Sequence, residues 1–305
     1  MNILVVGGTG MIGGHAALYL KDQGHDVTIS GRRPVQEDTP LKDLPFIAGD
    51  YIEGTFTKDQ LGQFDAIVFT AGNDIRHMPA GADLSGFYDH CHKANTIGVP
   101  RFAKQAKDAG VRYFIHVGSF YPHIAPELVA SNGYIRSRKD AAEGVTALAD
   151  DSFHAISLDA PFVVGCVPGK SDAMFQAYVQ YAEGKLGIPP FGPAGGTNFI
   201  STLSLAEAID GAIRNGQNGK IYLVGDENLS FAKYFELFFR AVGNNAEVPS
   251  LDQEHPMLPD VAIYTGRGNT VSYEPDPAET AALGYRRNDI ARAVNEIAAQ
   301  FKSKN

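Results

Sequence analysis

Residues 2–13 read NILVVGGTGMIG, a short apolar run that leads directly into a glycine-rich turn. The run predicts a buried strand, and the turn opens an amphipathic segment that predicts a helix. Glycines at such a junction permit a tight turn, let the backbone approach a pyrophosphate and allow close helix–strand packing. The N–H groups at the helix start add a partial positive charge that favours phosphate. The sequence therefore predicts a dinucleotide phosphate site formed by Gly7, Thr9, Gly10, Met11, Ile12 and Gly13.

Short apolar runs and amphipathic segments alternate through the first half of the chain. This alternation is typical of βαβ units and a parallel sheet. Strands are predicted at 2–6, 26–30, 46–48, 66–70, 113–117 and 154–159, and helices at 11–23 and 94–109. The expected fold is α/β: a Rossmann doubly wound parallel sheet with a smaller C-terminal α/β substrate-binding lobe.

The pattern becomes less regular after Pro161. A loop rich in glycine and proline is predicted at 187–196, a strand at 220–224, and helices at 205–214, from the cap Ser230 to Gly243, and at 289–301. We predict a nucleotide-binding Rossmann domain over residues 1–165 and a mainly substrate-binding lobe over 166–305. Later segments are expected to return to the first domain.

Composition narrows the class of partner. The 305 residues are 44% hydrophobic and 20% charged, with a net charge of −9. Nucleic acids and anionic membranes need a concentrated basic face, which the sequence lacks, so neither is an expected partner. The first apolar stretch, 3–6, is too short for a signal segment or a membrane span. We expect a cytoplasmic protein that acts on a small-molecule substrate.

The cysteines give no sign of a metal or redox site. Cys91 and Cys166 are the only two, and their spacing fits neither kind of site, as expected in a reducing compartment. The segment 89–92 (DHCH) lies in a predicted helix, where neighbours at i and i+2 do not face each other. No metal site is predicted.

The end of the second predicted strand bears on cofactor choice. An NAD site has an acidic residue here that accepts the ribose 2′-hydroxyl. This chain reads Ser30-Gly31-Arg32-Arg33 instead, and guanidinium groups suit a 2′-phosphate through their planar fork of donors. Arg32 and Arg33 therefore favour NADP as the cofactor, with NAD as the alternative.

Taken in order, these features resemble the extended short-chain dehydrogenase/reductase family, in its NAD(P)-dependent epimerase/dehydratase-like branch. Gly7, Gly10 and Gly13 fit its GxxGxxG, Asn95 lies where the family often keeps a helical asparagine, and residues 114–119 (FIHVGS) match the strand that ends at the catalytic serine or threonine. The resemblance implies further cofactor contacts at Asp50, Thr70, Ala71, Gly72, Phe162 and Val163. It also implies a homodimer through the helices at 94–109 and 136–148.

The catalytic helix departs from the family pattern. In the family a tyrosine exchanges the proton, and a lysine four residues later favours its anion and holds the nicotinamide ribose. Here Tyr134 is followed at i+4 by Arg138, and Lys139 stands at i+5, well around a regular helix. The resemblance makes Ser119, Tyr134 and Arg138 the catalytic candidates. Tyr121 and His123 are stand-ins should Tyr134 point elsewhere.

Three functions fit the sequence. The first is an NADP-dependent oxidoreductase that transfers hydride to or from a small carbonyl or alcohol. The second is a nucleotide-sugar epimerase or dehydratase, which needs cations for the diphosphate; the predicted substrate loop 191–199 has none, although Arg267, Arg286 or Arg287 would serve if they reached the site. The third is a catalytically inactive NAD(P)-binding regulatory protein, suggested by the altered Tyr134/Arg138 pair.

Overall fold

The computed structural model describes residues 1–75 and 81–302. Its strands are β1 (Asn2–Val6), β2 (Asp26–Gly31), β3 (Phe46–Ala48), β4 (Ala66–Phe69), β5 (Tyr113–Ser119), β6 (His154–Ala160), β7 (Phe162–Val164), β8 (Gly192–Pro193), β9 (Gly196–Ser201), β10 (Ile221–Leu223), β11 (Glu227–Ser230) and β12 (Ser250–Leu251). Seven of them form one sheet in the order β3-β2-β1-β4-β5-β6-β10, and each neighbouring pair is parallel. The predicted Rossmann-type α/β fold is confirmed.

The α-helices are α1 (Met11–Asp22), α2 (Lys58–Leu61), α3 (Leu84–Cys91), α4 (Val99–Asp108), α5 (Tyr121–Ile124), α6 (Gly133–Thr146), α7 (Ala173–Ala182), α8 (Thr202–Asn215), α9 (Phe231–Val242), α10 (Pro277–Leu283) and α11 (Ile290–Phe301). The predicted cap is present, because Ser230 Oγ accepts from Lys233 N, and Gly243 ends α9 with φ +86°. The single helix predicted at 94–109 is wrong in detail. Residues 92–98 are π-helical and α4 begins at Val99.

Both faces of the central sheet are covered by helices, which explains the unbroken apolar run of β1. Ile3 and Val5 face the core packed by α1 and α8. Leu4 and Val6 face the core packed by α4 and α6. Because the seven strands are parallel, their carboxyl ends meet at one edge of the sheet. Open α/β sheets bind their ligands at this edge.

The C-terminal half builds a second, strongly aromatic core. Strands β7, β9 and β11 form a small mixed sheet, and α7, α9 and α11 pack beside it. Part of this half joins the first sheet, since β10 pairs with β6 and α8 packs against α1. The predicted loop at 187–196 contains the two-residue strand β8, paired with β12. The domain boundary at residue 165 stays a prediction.

Across residues 1–75 and 81–302, no helix has both the length and the apolar character needed to cross a lipid bilayer.

Candidate functional site

The glycine turn between β1 and α1 has the close packing that the sequence predicts. Gly7 takes φ +85°, and the amides of Gly7 and Gly8 both donate to Ser30 O, at 2.9 and 3.0 Å. A Cβ added to Gly13 would come closer than 3.0 Å to Gly7 O and Thr70 Oγ1. A backbone oxygen and the Thr70 hydroxyl therefore occupy the space that a side chain at Gly13 would fill.

The helix start lies directly beyond this turn. Gly10 caps α1 without a side-chain hydrogen bond, and the half-buried Met11 and Ile12 form its first turn. The first amides of a helix have no acceptor within it, so they remain available to an anion. Thr9 packs against Gly31, where a Cβ would lie 2.6 Å from Thr9 Oγ1. The structure thus brings the predicted phosphate residues together.

Arg32 and Arg33 follow β2 directly and are exposed. Neither makes a hydrogen bond or an ion pair with the residues that the structure describes. The next acidic residue, Glu37, is held elsewhere: it accepts from Ser171 Oγ at 2.8 Å and lies 3.5 Å from Lys170 Nζ. The hydrogen bond from Ser171 is the main cause that lowers the pKa of Glu37 to about 2. The end of β2 is consequently cationic.

Asp50 follows β3, and one of its carboxylate oxygens shapes the next turn. Oδ1 accepts from Ile52 N at 2.8 Å and from Glu53 N at 3.3 Å. The adenine contact assigned to Asp50 by resemblance stays a prediction.

A buried polar network fixes the loop after β4. Thr70 Oγ1 donates to Val6 O at 3.0 Å, and Ala71 O accepts from Tyr51 OH at 3.0 Å. Asn95, in the π-helical segment, accepts from Asn73 N at 3.1 Å and donates to Asn73 O at 3.0 Å. The Asn95 amide also donates to Ser137 Oγ on α6 at 3.1 Å. The loop after β4 is thereby tied to the helix that carries Tyr134.

Arg138, and not Lys139, faces this loop. Arg138 is only 7% exposed, its Nη2 donates to Val117 O at 2.9 Å, and its guanidinium occupies the space where Gly72 would carry a Cβ. Among the described residues, its Nε has no acceptor. The side chain of Lys139 is 41% exposed and pairs with Glu143. The i+4 spacing therefore retains a buried cation beside the cofactor loop.

Ser119 and Tyr134 lie at the same edge of the sheet. Ser119 ends β5 and is 5% exposed, and its hydroxyl has no hydrogen-bond partner within the described ranges. Tyr134 opens α6, capped by Asn132, and its ring stacks on Tyr264 with centroids 4.6 Å apart and an interplanar angle of 17°. Tyr121 meets the Tyr134 ring edge-on at 6.5 Å. Tyr264 belongs to a loop far along the chain, and no sequence signal marked it.

His123 forms a pair that the sequence did not reveal. Its Nε2 lies 2.8 Å from Oδ2 of Asp159, a buried residue near the end of β6. The other oxygen, Oδ1, accepts from Ser157 Oγ at 2.7 Å, and His116 Nδ1 lies 3.0 Å from the same hydroxyl. An aspartate within a predicted strand was the available signal, because a buried charge requires a partner.

Phe162 and Val163 lie between the two cores. Phe162 packs on Phe199 and Tyr234, with ring centroids 5.4 and 5.7 Å away, and Val163 packs on the core beside α1 and α8. Their contact with the nicotinamide stays a prediction.

The cations between residues 166 and 301 are paired with carboxylates. Each of the ten lysines and arginines between residues 166 and 301 lies within ion-pair distance of a carboxylate. Arg267 pairs with two aspartates, Arg286 with Glu207, and Arg287 with an aspartate and a glutamate. In the part of the chain that the structure describes, no three His, Cys, Asp or Glu residues cluster as metal ligands would.

The chain is similar to known proteins in sequence and in fold. Residues 3–225 match the family described as the NAD dependent epimerase/dehydratase family. A UDP-glucose 4-epimerase from Klebsiella pneumoniae is 31% identical over 129 residues, which span 39% of this chain and 89% of that protein. The solved structure of gox2253 is similar with a TM-score of 0.76 and 19% identity, covering 98% of this chain and 97% of that one. The Bordetella bronchiseptica enzyme WbmH, solved in complex with NAD+, has a TM-score of 0.72 and 16% identity, with coverage of 99% and 98%.

Proposed function

Since the chain belongs to the NAD dependent epimerase/dehydratase family, and is thus an enzyme of that type with a nicotinamide nucleotide cofactor, we propose that it is an NADP-dependent oxidoreductase. It would transfer hydride to or from a small, uncharged carbonyl or alcohol. The observation that carries the proposal is the pair of exposed guanidinium groups, Arg32 and Arg33, that have no partner among the described residues.

The residues present fit the cofactor. No side chain fits at Gly7 or Gly13, because backbone atoms and Thr70 Oγ1 lie within 3.0 Å of an added Cβ, and the first amides of α1 have no side-chain cap. Arg32 and Arg33 would pair with the 2′-phosphate through bidentate hydrogen bonds. When bound, the nicotinamide supplies the hydride chemistry, and the protein contributes position and electrostatics.

The substrate side favours a small, uncharged molecule. A nucleotide sugar brings a diphosphate, which requires free cations, whereas every lysine and arginine from 166 to 301 is paired with a carboxylate. Releasing Arg287 alone would leave the buried Asp226 without its cation. Ser119, whose hydroxyl has no hydrogen-bond partner among the described residues, and Tyr134 are proposed to contact the substrate oxygen. The Arg138 guanidinium packs against Gly72 in the loop after β4 and donates to Val117 O.

A nucleotide-sugar epimerase is the second candidate. It is supported by the relative named UDP-glucose 4-epimerase, which is 31% identical over the part of this chain that it matches. Family membership likewise favours an enzyme over a binding protein without catalysis.

The test is an activity screen. Purified protein is given NADPH with a panel of small aldehydes and ketones, and in parallel UDP-glucose with NAD+. We expect NADPH oxidation that depends on a carbonyl compound, and no conversion of UDP-glucose to UDP-galactose. Interconversion of the two sugars without carbonyl reduction would establish the second candidate instead.

A further inference from the structure

The His123–Asp159 pair has the geometry of an oriented acid–base group. With Asp159 Oδ2 accepting from His123 Nε2–H at 2.8 Å, the ring orientation is fixed and the other nitrogen, Nδ1, faces away from the carboxylate. Within residues 1–75 and 81–302, no group hydrogen-bonds to Nδ1. The side chain of His123 is 34% exposed and that of Asp159 is 2% exposed, so one end of the pair is accessible and the other is anchored.

Several residues are arranged around the buried carboxylate. Gly118, opposite Asp159 in the sheet, has no room for a Cβ because the Asp159 carboxylate fills that space. Ser157 donates to the second carboxylate oxygen. A buried carboxylate without such partners is strongly destabilising. The strand pair β5·β6 is thus built to hold this carboxylate.

The pair also lies beside the proposed substrate residues. His123 is four residues beyond Ser119, in the short helix α5 that follows the carboxyl end of β5. Asp159 lies near the carboxyl end of the neighbouring strand β6. Tyr121, in the same short helix, contacts the ring of Tyr134. This edge is where an open α/β sheet binds its ligand.

We propose that His123, oriented by Asp159, is the residue that exchanges the substrate proton in this enzyme. The inference rests on the proposed function. In the direction of reduction, the carbonyl carbon accepts a hydride from the reduced nicotinamide, and the carbonyl oxygen accepts the proton from His123 Nδ1. The imidazolium becomes neutral imidazole, which keeps its Nε2–H on Asp159, and solvent returns the proton. The carbonyl is reduced to an alcohol and the nicotinamide is oxidised.

The presence of Arg138 in place of the family's lysine favours His123 over Tyr134 as the residue that exchanges the proton. A phenol has a pKa of about 10 and is a weak proton carrier at neutral pH unless a cation favours its anion. The Arg138 guanidinium that replaces the family's lysine is already engaged with Val117 O. Asp159 raises the pKa of His123 above its ordinary value, chiefly through their hydrogen bond. Histidine is the side chain whose ordinary pKa lies closest to neutrality, so His123 is suited to proton transfer in that range.

The groups around His123 leave Asp159 as its main electrostatic partner. His116 is neutral, because burial holds its pKa well below the usual value. Burial raises the pKa of Tyr121, Tyr264 and Tyr273, so their phenols stay uncharged through the neutral range. The rate of carbonyl reduction should therefore fall as the pH rises through the raised pKa of His123.

The experiment compares pH–rate profiles of NADPH-dependent reduction for the wild type, His123→Gln, Asp159→Asn and Tyr134→Phe. His123→Gln is expected to lower kcat by at least about 100-fold, the lower end for a general acid. It should also abolish the limb of the pH–rate profile along which the rate falls as the pH rises through the neutral range. Asp159→Asn should move that limb to lower pH. Tyr134→Phe should lower the rate but keep the limb. His154→Gln is the matched control and should change nothing, since His154 begins β6 at the opposite edge of the sheet.

A second readout needs no turnover. In the cofactor-free protein, NMR titration of the histidine ring protons should show that Asp159→Asn weakens proton binding at His123, because the hydrogen bond to Asp159 raises the pKa of His123. The proposal is overturned if His123 titrates alike in both proteins, or if His123→Gln keeps the limb while Tyr134→Phe removes it. Failure of the wild type to reduce any carbonyl would refute the proposed function, and the titration would still decide whether the pair exists.

Discussion

Gly72→Ala is expected to destabilise the protein only as long as Arg138 is present. A Cβ at Gly72 would come closer than 3.0 Å to the Arg138 guanidinium, which is buried and donates to Val117 O. Displacing it breaks a hydrogen bond from a charged group, worth about 1.5–3 kcal/mol. Since φ of Gly72 is not positive, alanine itself is unstrained there. It should even stabilise by about 0.4–1 kcal/mol through the unfolded state.

The assay is equilibrium urea unfolding of four cofactor-free proteins: the wild type, Gly72→Ala, Arg138→Ala and the double variant. We expect Gly72→Ala to lower the free energy of unfolding by about 0.5–2.6 kcal/mol in the wild type, the net of the two effects. In the Arg138→Ala background the same change should be neutral or stabilising. Lys139→Ala removes an exposed ion pair with Glu143 and should change the free energy of unfolding by no more than about 1 kcal/mol. An equal cost of Gly72→Ala in both backgrounds would refute the packing of Arg138 on this loop.

Three further outcomes are expected. Gly13→Ala should weaken nicotinamide nucleotide binding at least about tenfold in calorimetric titration, because the new Cβ collides with Gly7 O and Thr70 Oγ1; unchanged affinity would argue against the glycine cradle. Asn95→Ala should lower the melting temperature and also weaken cofactor binding, since Asn95 fixes the β4 loop through Asn73; a stability loss with normal binding would contradict that link. Burial lowers the pKa of His255 to about 4, so in mildly acidic solution the unfolded chain binds a proton that the folded protein does not. The free energy of unfolding should therefore fall as the pH drops from about 6.5 toward 4. His255→Asn should flatten this slope in a series of urea unfolding curves, and an unchanged slope would contradict the assignment.

Local sequence predicted the parts of the site that depend on neighbouring residues. The glycine turn, the strand before it and the helix after it are adjacent in the chain, and their geometry follows from backbone sterics and helix-end hydrogen bonding. The choice between Arg138 and Lys139 also followed helical periodicity, since the i+4 residue is the buried one.

Contacts between segments that lie far apart in the chain could not be predicted from the sequence. Asp159 on β6 contacts His123, which follows the neighbouring strand β5, and Tyr264 covers Tyr134 from a loop of the C-terminal half. The π-helical turn at 92–98 was missed as well, because its apolar spacing still resembles an α-helix over so short a stretch. Whether Arg267, Arg286 and Arg287 reach a substrate depended on their carboxylate partners, which no local pattern encodes.

The most direct test of the NADP assignment is a calorimetric titration of the nucleotide-free protein with NADPH and with NADH. NADPH is expected to bind at least about tenfold more tightly, a difference of about 1.4 kcal/mol for the 2′-phosphate. Arg32→Ala with Arg33→Ala should remove this preference. Equal affinity, or tighter binding of NADH, would contradict the NADP assignment and favour the epimerase alternative. Binding of neither nucleotide would contradict the cofactor site itself.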